Sequence, residues 1–491
     1  MDEETRTGEA FLGVDLGTTN VKAQIVEADG RIVSSGFAPV NIDYSADGAA
    51  EQDIEDIWSA TVMAITRAAS GGQGARVRAV GLSSQGGAIQ ILDAGELPVG
   101  RVIGWQDSRG GPWDLPLTEK MGREWFTRHI GFAQSGSAIG QILRLRARGG
   151  LPDGFRLGWV GDVVAGRLCG RRAHDATSLS EACLLNPSEG AEDAEVLAIL
   201  GVRRDRLPAL LDAGQPAGGL LLDVARSIGL PPGIPVGPAV HDQYAAATGC
   251  GAVRAGDTML GAGTTWVLLA VTDRIEAPVG GVALVGRHPV PGLFGQMLSM
   301  ANGGCCLSWA ARTLNLGDLR VADIDALMET VPSGSAGLRF LPLLSEIGGG
   351  GLPPGTAGRL EGLRLGHSPA HIMRALVEGL ACELGRYLAM MATGGVRVER
   401  LIMCGKAAAS RVTPQIIADA TGLPVDCATL PETSSLGAAI LARKLVEPAR
   451  SLAELADVMK PPMRSIRPGQ GREPAARRLV EYLAALNAAT G

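Results

Sequence analysis

Four short stretches hold side chains whose types and spacing suit phosphoryl transfer. The first is FLGVDLGTTNVK, residues 11–22, a strand-type run that reaches Asp15 and turns at Gly17. Thr18, Thr19 and the neighbouring amides suit phosphate oxygens, Lys22 follows them, and Asp15 suits a metal held through water. The same residues also make an ordinary β-turn, and the motif by itself does not decide between the two. The second stretch is LGAGTT, 260–265, which repeats strand, glycine turn and paired threonines. Its candidate phosphate contacts are Gly261, Gly263, Thr264 and Thr265. The third, CGKAAAS at 404–410, is a small-residue turn at a strand end that admits a flat base. Two such hairpins from facing halves clamp a polyphosphate, and transfer then needs a carboxylate to orient the attacking hydroxyl and accept its proton. Asp242, in the fourth stretch HDQ, is that candidate. It follows the apolar, proline-bounded PVGPAV and sits at the junction of the halves, where closure of a cleft excludes water. An N-cap for the helix QYAAATG is the structural alternative for Asp242, and His241 reads as a pocket wall.

The elements that position these residues follow from periodicity and turn chemistry. KAQIVEADGRIVSS reads as two strands joined at Asp29-Gly30, so three antiparallel strands open the chain. Asp53 is the expected N-cap of a helix to Ala69, with Ile54, Ile57, Trp58, Thr61, Val62 and Ile65 on one face. Residues 77–82 read as a buried strand and SSQGG as the turn at its end. The pattern predicts an α/β chain with helices against mixed sheets. Residues 137–185 read as helical, arginine-rich surface. The segments 207–220 and 231–240, rich in Pro and Gly, read as punctuation. A helix is expected from Ser368-Pro369, and 348–358 reads as a loop. The two threonine-bearing hairpins suggest duplicated halves with a boundary near residue 248.

Composition removes several classes of function. A chain of 491 residues suffices for two domains with proper cores. A net charge of −6 leaves no basic excess to attract nucleic acid or an anionic membrane. No apolar run approaches the length of a membrane span. The opening MDEETRTGEA is acidic and polar, unlike a secretory signal. The eight cysteines form no CxxC pair, and the six histidines fall in no zinc spacing. They read as buried thiols in a reducing compartment, and the cytoplasm is the expectation.

Taken together, DLGTTNVK (15–22), GLSSQGG (81–87), GWQDSRG (104–110), HDQ (241–243), LGAGTT (260–265), GRLEGL (358–363) and CGKAAAS (404–410) fall in the order and spacing of the FGGY carbohydrate kinases. The resemblance covers nearly the whole chain, most closely the xylulose kinases. The helix after GRLEGL, with His371, Ala375 and Glu378, nearly fits the family's second signature and departs at Leu376. The resemblance implies two ribonuclease-H-like domains of the actin and hexokinase type, 1–248 for sugar and first phosphate motif and 249–491 for nucleotide. It implies ATP with Mg²⁺ in the cleft and γ-phosphoryl transfer to a small sugar or polyol such as xylulose, with Asp242 as base. Asp15 and Asp242 become the expected metal-facing carboxylates. Gly304 and Ser308 fall where the family contacts nucleotide, and Gly405, Lys406 and Ser410 match its adenosine motif. Gln85, Gly86, Gly87, Trp105, Asp107 and Gln243 join Asp242 as the expected substrate surface. A homodimer is expected from families of this kind.

Departures from the family pattern qualify specificity. Ala262 stands where threonine is usual, Lys406 where glycine is usual, and Gln141 where the first signature carries lysine. After Gln85 the family's xylulose kinases carry Met-His and its glycerol kinases Arg-Glu. Gly86 and Gly87 offer no side chain, which predicts open volume and a bulkier or less hydroxylated acceptor. Trp105 also reads as core. The competing readings are a kinase for glycerol, gluconate, ribulose or another polyol, a weakly active sugar- or nucleotide-binding paralogue, and an actin- or Hsp70-like ATPase.

Overall fold

The computed structural model describes residues 8–136, 138–345, 350–353 and 355–490. Ala10–Leu16 (β1), Asn20–Glu27 (β2) and Ile32–Pro39 (β3) run antiparallel in succession. The second reversal uses Gly30 at φ +88°, a conformation glycine takes without a Cβ clash. Asp53 caps Ile54–Ala69 (α1) by accepting from the Glu55 amide, and Ile54, Ile57, Thr61 and Ile65 are buried. Val77–Ser84 (β4) then runs parallel to β1. Ala173–His174 (β5), Ala209–Leu210 (β6) and Pro235–His241 (β7) extend the sheet in the order β6-β5-β7-β4-β1-β2-β3.

Strand β7 corrects the reading of 231–240 as punctuation. It is buried from Val236 to His241 and pairs in parallel with β4. Proline is tolerated because Pro235 begins the strand and Pro238 falls where the register shifts, between Val236 and Ala239. At a strand start or a bulge the missing N–H removes no ladder bond. Residues 138–185 are likewise interior more than surface. Helix Ala138–Ala147 buries Ile139 and Ile142, strand Arg156–Trp159 edges a separate five-stranded sheet, and helix Val160–Cys169 packs Val164 and Leu168 on the first sheet. Two of the arginines that suggested a solvated face are tied inward: Arg144 Nε donates to Gln141 Oε1, and Arg172 to Asp162, while Arg146, Arg148 and Arg171 are exposed. The loop expected over 348–358 lies partly outside the described residues.

The second half builds its own sheet from Thr258–Ala262 (β8), Trp266–Thr272 (β9), Leu284–Arg287 (β10), Phe294–Ser299 (β11), Leu401–Cys404 (β12), Val425–Ala428 (β13) and Met463–Ile466 (β14), ordered β10-β11-β9-β8-β12-β13-β14. Within it, β11-β9-β8-β12-β13 repeats the pairing senses of β3-β2-β1-β4-β7: two antiparallel pairs, then two parallel ones. The duplicated grammar of the two hairpins thus extends to a five-strand core in each half.

Two helices of small residues join the halves. Asp242–Cys250 (α3) follows β7, and Thr433–Val446 (α5) returns from the second half to lie on β1, β4 and α3. The approach is closer than a side chain allows. A Cβ on Gly81 would lie 1.9 Å from the Ala438 carbonyl oxygen, and one on Gly437 would lie 1.8 Å from that of Ala245. Glycine here is required by packing.

Candidate active site

Three parallel strands end side by side, and their ends carry the acidic groups. Asp15 on β1 pairs with Ser83 on β4, which pairs with Val240 on β7, one residue before His241 and two before Asp242. The carboxyl ends of adjacent parallel strands are where open α/β sheets bind ligands. Ser83 Oγ donates to Asp15 Oδ1 at 2.8 Å. Burial, and then the Asp242 charge, push the Asp15 carboxyl up to about 6. Burial raises Asp242 to about 6 as well, opposed by hydrogen bonds from Gln243. Asp242 is not the N-cap that its position suggested. His241 holds the extended cap conformation, and Asp242 is the first residue of α3. Its carboxylate is therefore not spent on capping.

The first hairpin is braced by side chains. Gln52 Nε2 donates to the Thr18 carbonyl at 2.9 Å, Trp105 Nε1 donates to Thr18 Oγ1 at 3.1 Å, and the Gln85 amide donates to the Leu16 carbonyl at 3.0 Å. Trp105 is 44% exposed, so it is not core. Thr19 is exposed at the tip, and Lys22 faces Asp15 across the β1–β2 ladder. Asp107, expected at the substrate surface, is buried and committed. It accepts from the Ala50 amide, from Arg109 and from Gln141 Nε2. Arg109 also pairs with Glu51. These bonds hold the Asp107 carboxyl below its ordinary range despite burial. Gln141 thus replaces a lysine with a neutral donor and positions Asp107.

The second hairpin is held by backbone. Gly304 opens helix Gly304–Thr313 (α4), and the Gly304 and Cys305 amides donate to the Gly263 and Thr264 carbonyls at 3.1 and 2.9 Å. Ala262 is the buried last residue of β8, while Thr264 is exposed and Thr265 half-buried. Gly405 takes φ +84°, and a Cβ there would lie 2.9 Å from the Ala262 carbonyl, so the third turn is seated on the second. Gln243 Nε2 donates to Asp242 Oδ1 at 3.2 Å. Its Oε1 would lie 3.0 Å from a Cβ on Gly261. Gln243 therefore bonds the carboxylate and lies against the second hairpin. A cavity of about 370 Å³ opens on this side, lined by Gly263, Thr264, Gly304, Ser308, Lys406 and Ser410 among others. Ser410 contributes a wall and not a free hydroxyl. Its Oγ donates to Asp325 and accepts from the Val412 and Thr413 amides.

Gly86 and Gly87 follow Gln85, and the open volume expected at Gly86 is absent. A Cβ on Gly86 would lie 2.3 Å from Glu181 Cγ and 2.6 Å from His241 Cδ2. Two residues from other elements have taken the space. Glu181 did not figure among the sequence candidates, because nothing in TSLSEAC marks it as chemical.

Among the described residues no cluster of three or more His, Cys, Asp or Glu forms a protein-only metal cage. Two half-buried carboxylates with raised affinity for protons instead fit Mg²⁺, which keeps most of its shell as water and phosphate. The cavity and its glycine-bounded backbone fit a nucleotide. Also among the described residues, no helix is long and apolar enough to cross a membrane.

Models of the FGGY carbohydrate kinases match the chain in tandem, the N-terminal domain over residues 10–249 and the C-terminal domain over 259–444. The chain is 27% identical to a xylulose kinase of Klebsiella pneumoniae, over 96% of each. It is 31% identical to a glycerol kinase of Symbiobacterium thermophilum, over 91% of each. The glycerol kinase of Plasmodium falciparum, solved with ADP, superposes with a TM-score of 0.87 at 18% identity over 98% of both chains. Its two-domain actin/hexokinase-like α/β fold is the one described above. With both domain models matched in order, the chain belongs to the FGGY family of carbohydrate kinases and is an enzyme.

Proposed function

We propose that the protein transfers the γ-phosphoryl group of ATP, with Mg²⁺, to a hydroxyl of a small neutral sugar or polyol, a pentulose such as xylulose being the first choice. The observation that carries this reading is the pair Asp15 and Asp242. They stand at the ends of β1 and β7, the parallel strands on either side of β4, and Gln243, bonded to Asp242, lies against the second hairpin beside the nucleotide-sized cavity. Bound MgATP supplies the electrophilic phosphorus and neutralises the phosphate charge. The chain does the rest. Asp242, uncapped and half-buried, takes the proton of the attacking hydroxyl. Gly263, Thr264 and the 404–410 turn hold the nucleotide side, and Thr18 and Thr19 the phosphate side. Closure over a half-buried base excludes water that would otherwise be phosphorylated.

In this reading 1–248 carries the acceptor and first phosphate motif, and 249–491 the nucleotide. The cytoplasm, where ATP is abundant, is the inferred site of action. A glycerol kinase is the second reading, favoured by the 31% identity to a glycerol kinase. A coupled assay of ADP release over ketoses, aldoses, polyols and aldonates with MgATP tests both. Acceptor-dependent turnover with a ketopentose or pentitol is expected. No acceptor-dependent release anywhere in the panel sinks the kinase reading.

A further inference from the structure

Gly86 is flanked by Glu181 and His241, which come from two other elements, and the polar atoms around this turn narrow the acceptor. Ala176–Glu181 (α2) ends in Glu181. Asp175 caps this helix by accepting from the Thr177 and Ser178 amides. Ser178 Oγ donates to the Ala239 carbonyl at 3.0 Å, and the His241 amide donates to Thr177 Oγ1 at 2.9 Å. These bonds register α2 against β7, which fixes Glu181 relative to His241. A Cβ on Gly86 would meet both side chains, within 2.7 Å of each.

Three buried side-chain atoms around this turn have no hydrogen-bond partner among the described residues: Gln85 Oε1, Glu181 Oε2 and His241 Nδ1. Gln85 and His241 are only 4% and 5% exposed. A buried polar atom left unpaired costs about 1–3 kcal/mol, so such a group marks a place for a ligand. Each of the three is an acceptor. The Thr18 carbonyl takes the Gln52 amide group, so Gln52 Oε1 faces Gln85 and accepts its Nε2 at 2.9 Å. Gln85 Oε1 is left without a partner. His241 Nε2 lies 3.3 Å from Asp242 Oδ1. The proton of the neutral ring belongs there, which leaves the lone pair on Nδ1. Among the described residues, no Lys or Arg forms an ion pair with Glu181 or Asp242.

We propose that Glu181, His241 Nδ1 and Gln85 Oε1 form an acceptor-only specificity surface, which selects acceptors offering at least two hydroxyl donors beside the phosphorylated one and rejects aldonates. Glu181 is its principal determinant. The proposal rests on Asp242 as the base of the kinase reading. A ligand carboxylate would meet Glu181, which has no Lys or Arg paired with it among the described residues, whereas a polyol offers hydroxyl donors to these acceptors.

The test measures kcat and KM for ketopentoses, pentitols, glycerol and gluconate with the full chain, Glu181→Gln and Gly86→Ala. The wild type is expected to favour neutral polyols over gluconate by at least about tenfold in kcat/KM. Glu181→Gln should raise KM for the neutral acceptor about tenfold, with kcat within threefold and the KM for ATP unchanged. It should also narrow the gap to gluconate. A merely structural role would instead lower kcat and thermal stability together. Should Glu181→Gln not fold, Gly86→Ala carries the test, since its Cβ must displace Glu181 and His241 and raise the same KM. An active wild type that accepts gluconate as well as polyols, or a folded Glu181→Gln with an unchanged acceptor profile, overturns this inference and leaves the kinase reading standing. An enzyme inactive on every acceptor overturns the kinase reading instead.

Discussion

The two hairpins share a grammar and differ in construction. In the first, the strand before the turn carries Asp15, and three side chains, Gln52, Trp105 and Ser83, secure the turn or the carboxylate. In the second, Gly261 and Ala262 stand at the corresponding strand end. The loop between paired residues is one residue shorter, Gly263 to Thr265 against Gly17 to Asn20. Backbone amides of α4 and the seated Gly405 hold it. A jaw that carries charge must have its carboxylate aimed, which needs directional bonds from neighbours. A jaw that presents backbone donors needs only close approach, which glycine permits and any Cβ would obstruct. Duplication thus supplied one scaffold, and the halves diverged into an acidic, side-chain-braced jaw and a neutral, glycine-packed one.

This contrast can be broken at several points. The largest effect belongs to Asp242→Ala, which should lower kcat by about 10²–10⁴-fold, the usual contribution of a general base. Calorimetry should find MgADP affinity retained; a variant that keeps its turnover removes Asp242 from the chemistry. Asp15→Asn tests the acidic jaw. Loss of a metal-supporting carboxylate should shift the Mg²⁺ activation curve to concentrations about 10- to 100-fold higher. Unchanged Mg²⁺ dependence would make Asp15 purely structural.

The pH profile follows from the same pair. Both carboxyls are raised to about 6. The base works only when deprotonated, so kcat/KM for the acceptor should hold above that value and decline as pH falls through it. The decline should be about tenfold per unit for one group and steeper where both must ionise. A profile flat down to pH about 4, the ordinary range of a carboxylate, would contradict the half-buried setting of Asp242.

The backbone jaw is tested by Gly405→Ala. Its Cβ would press on the Ala262 carbonyl at 2.9 Å in a left-handed conformation, at a cost of about 1–2 kcal/mol before any clash. The KM for ATP should rise about tenfold while the acceptor KM stays put; the reverse pattern would exchange the roles assigned to the jaws. The smallest effect is expected of Trp105→Phe. It removes one hydrogen bond to Thr18, about 1 kcal/mol, hence no more than about fivefold in kcat/KM.

Much of this was legible from residue order. Asp53 as a cap, the reversal at Asp29-Gly30 and the helix opened by Ser368-Pro369 are local events, written in a few adjacent residues. The non-local parts were not. PVGPAV looked like a break because proline statistics ignore which edge of a strand pairs, and the register shift that excuses Pro238 exists only in the assembled sheet. Arg144 and Arg172 looked solvated until buried carboxyl and amide partners were beside them. Ala262 and Gln141 read in order only as departures from the family pattern. In the fold, Ala262 is a buried strand end and Gln141 a support for Asp107.

The sequence by itself determined the family, the α/β class, the pair of threonine turns and the aspartate between them, because each is a local motif whose geometry its own residues dictate. Only the tertiary structure decided what stands beside Gly86. A missing side chain reads as space when the chain is taken in order. In three dimensions the contents of that space depend on distant neighbours, and close packing filled it with Glu181 and His241.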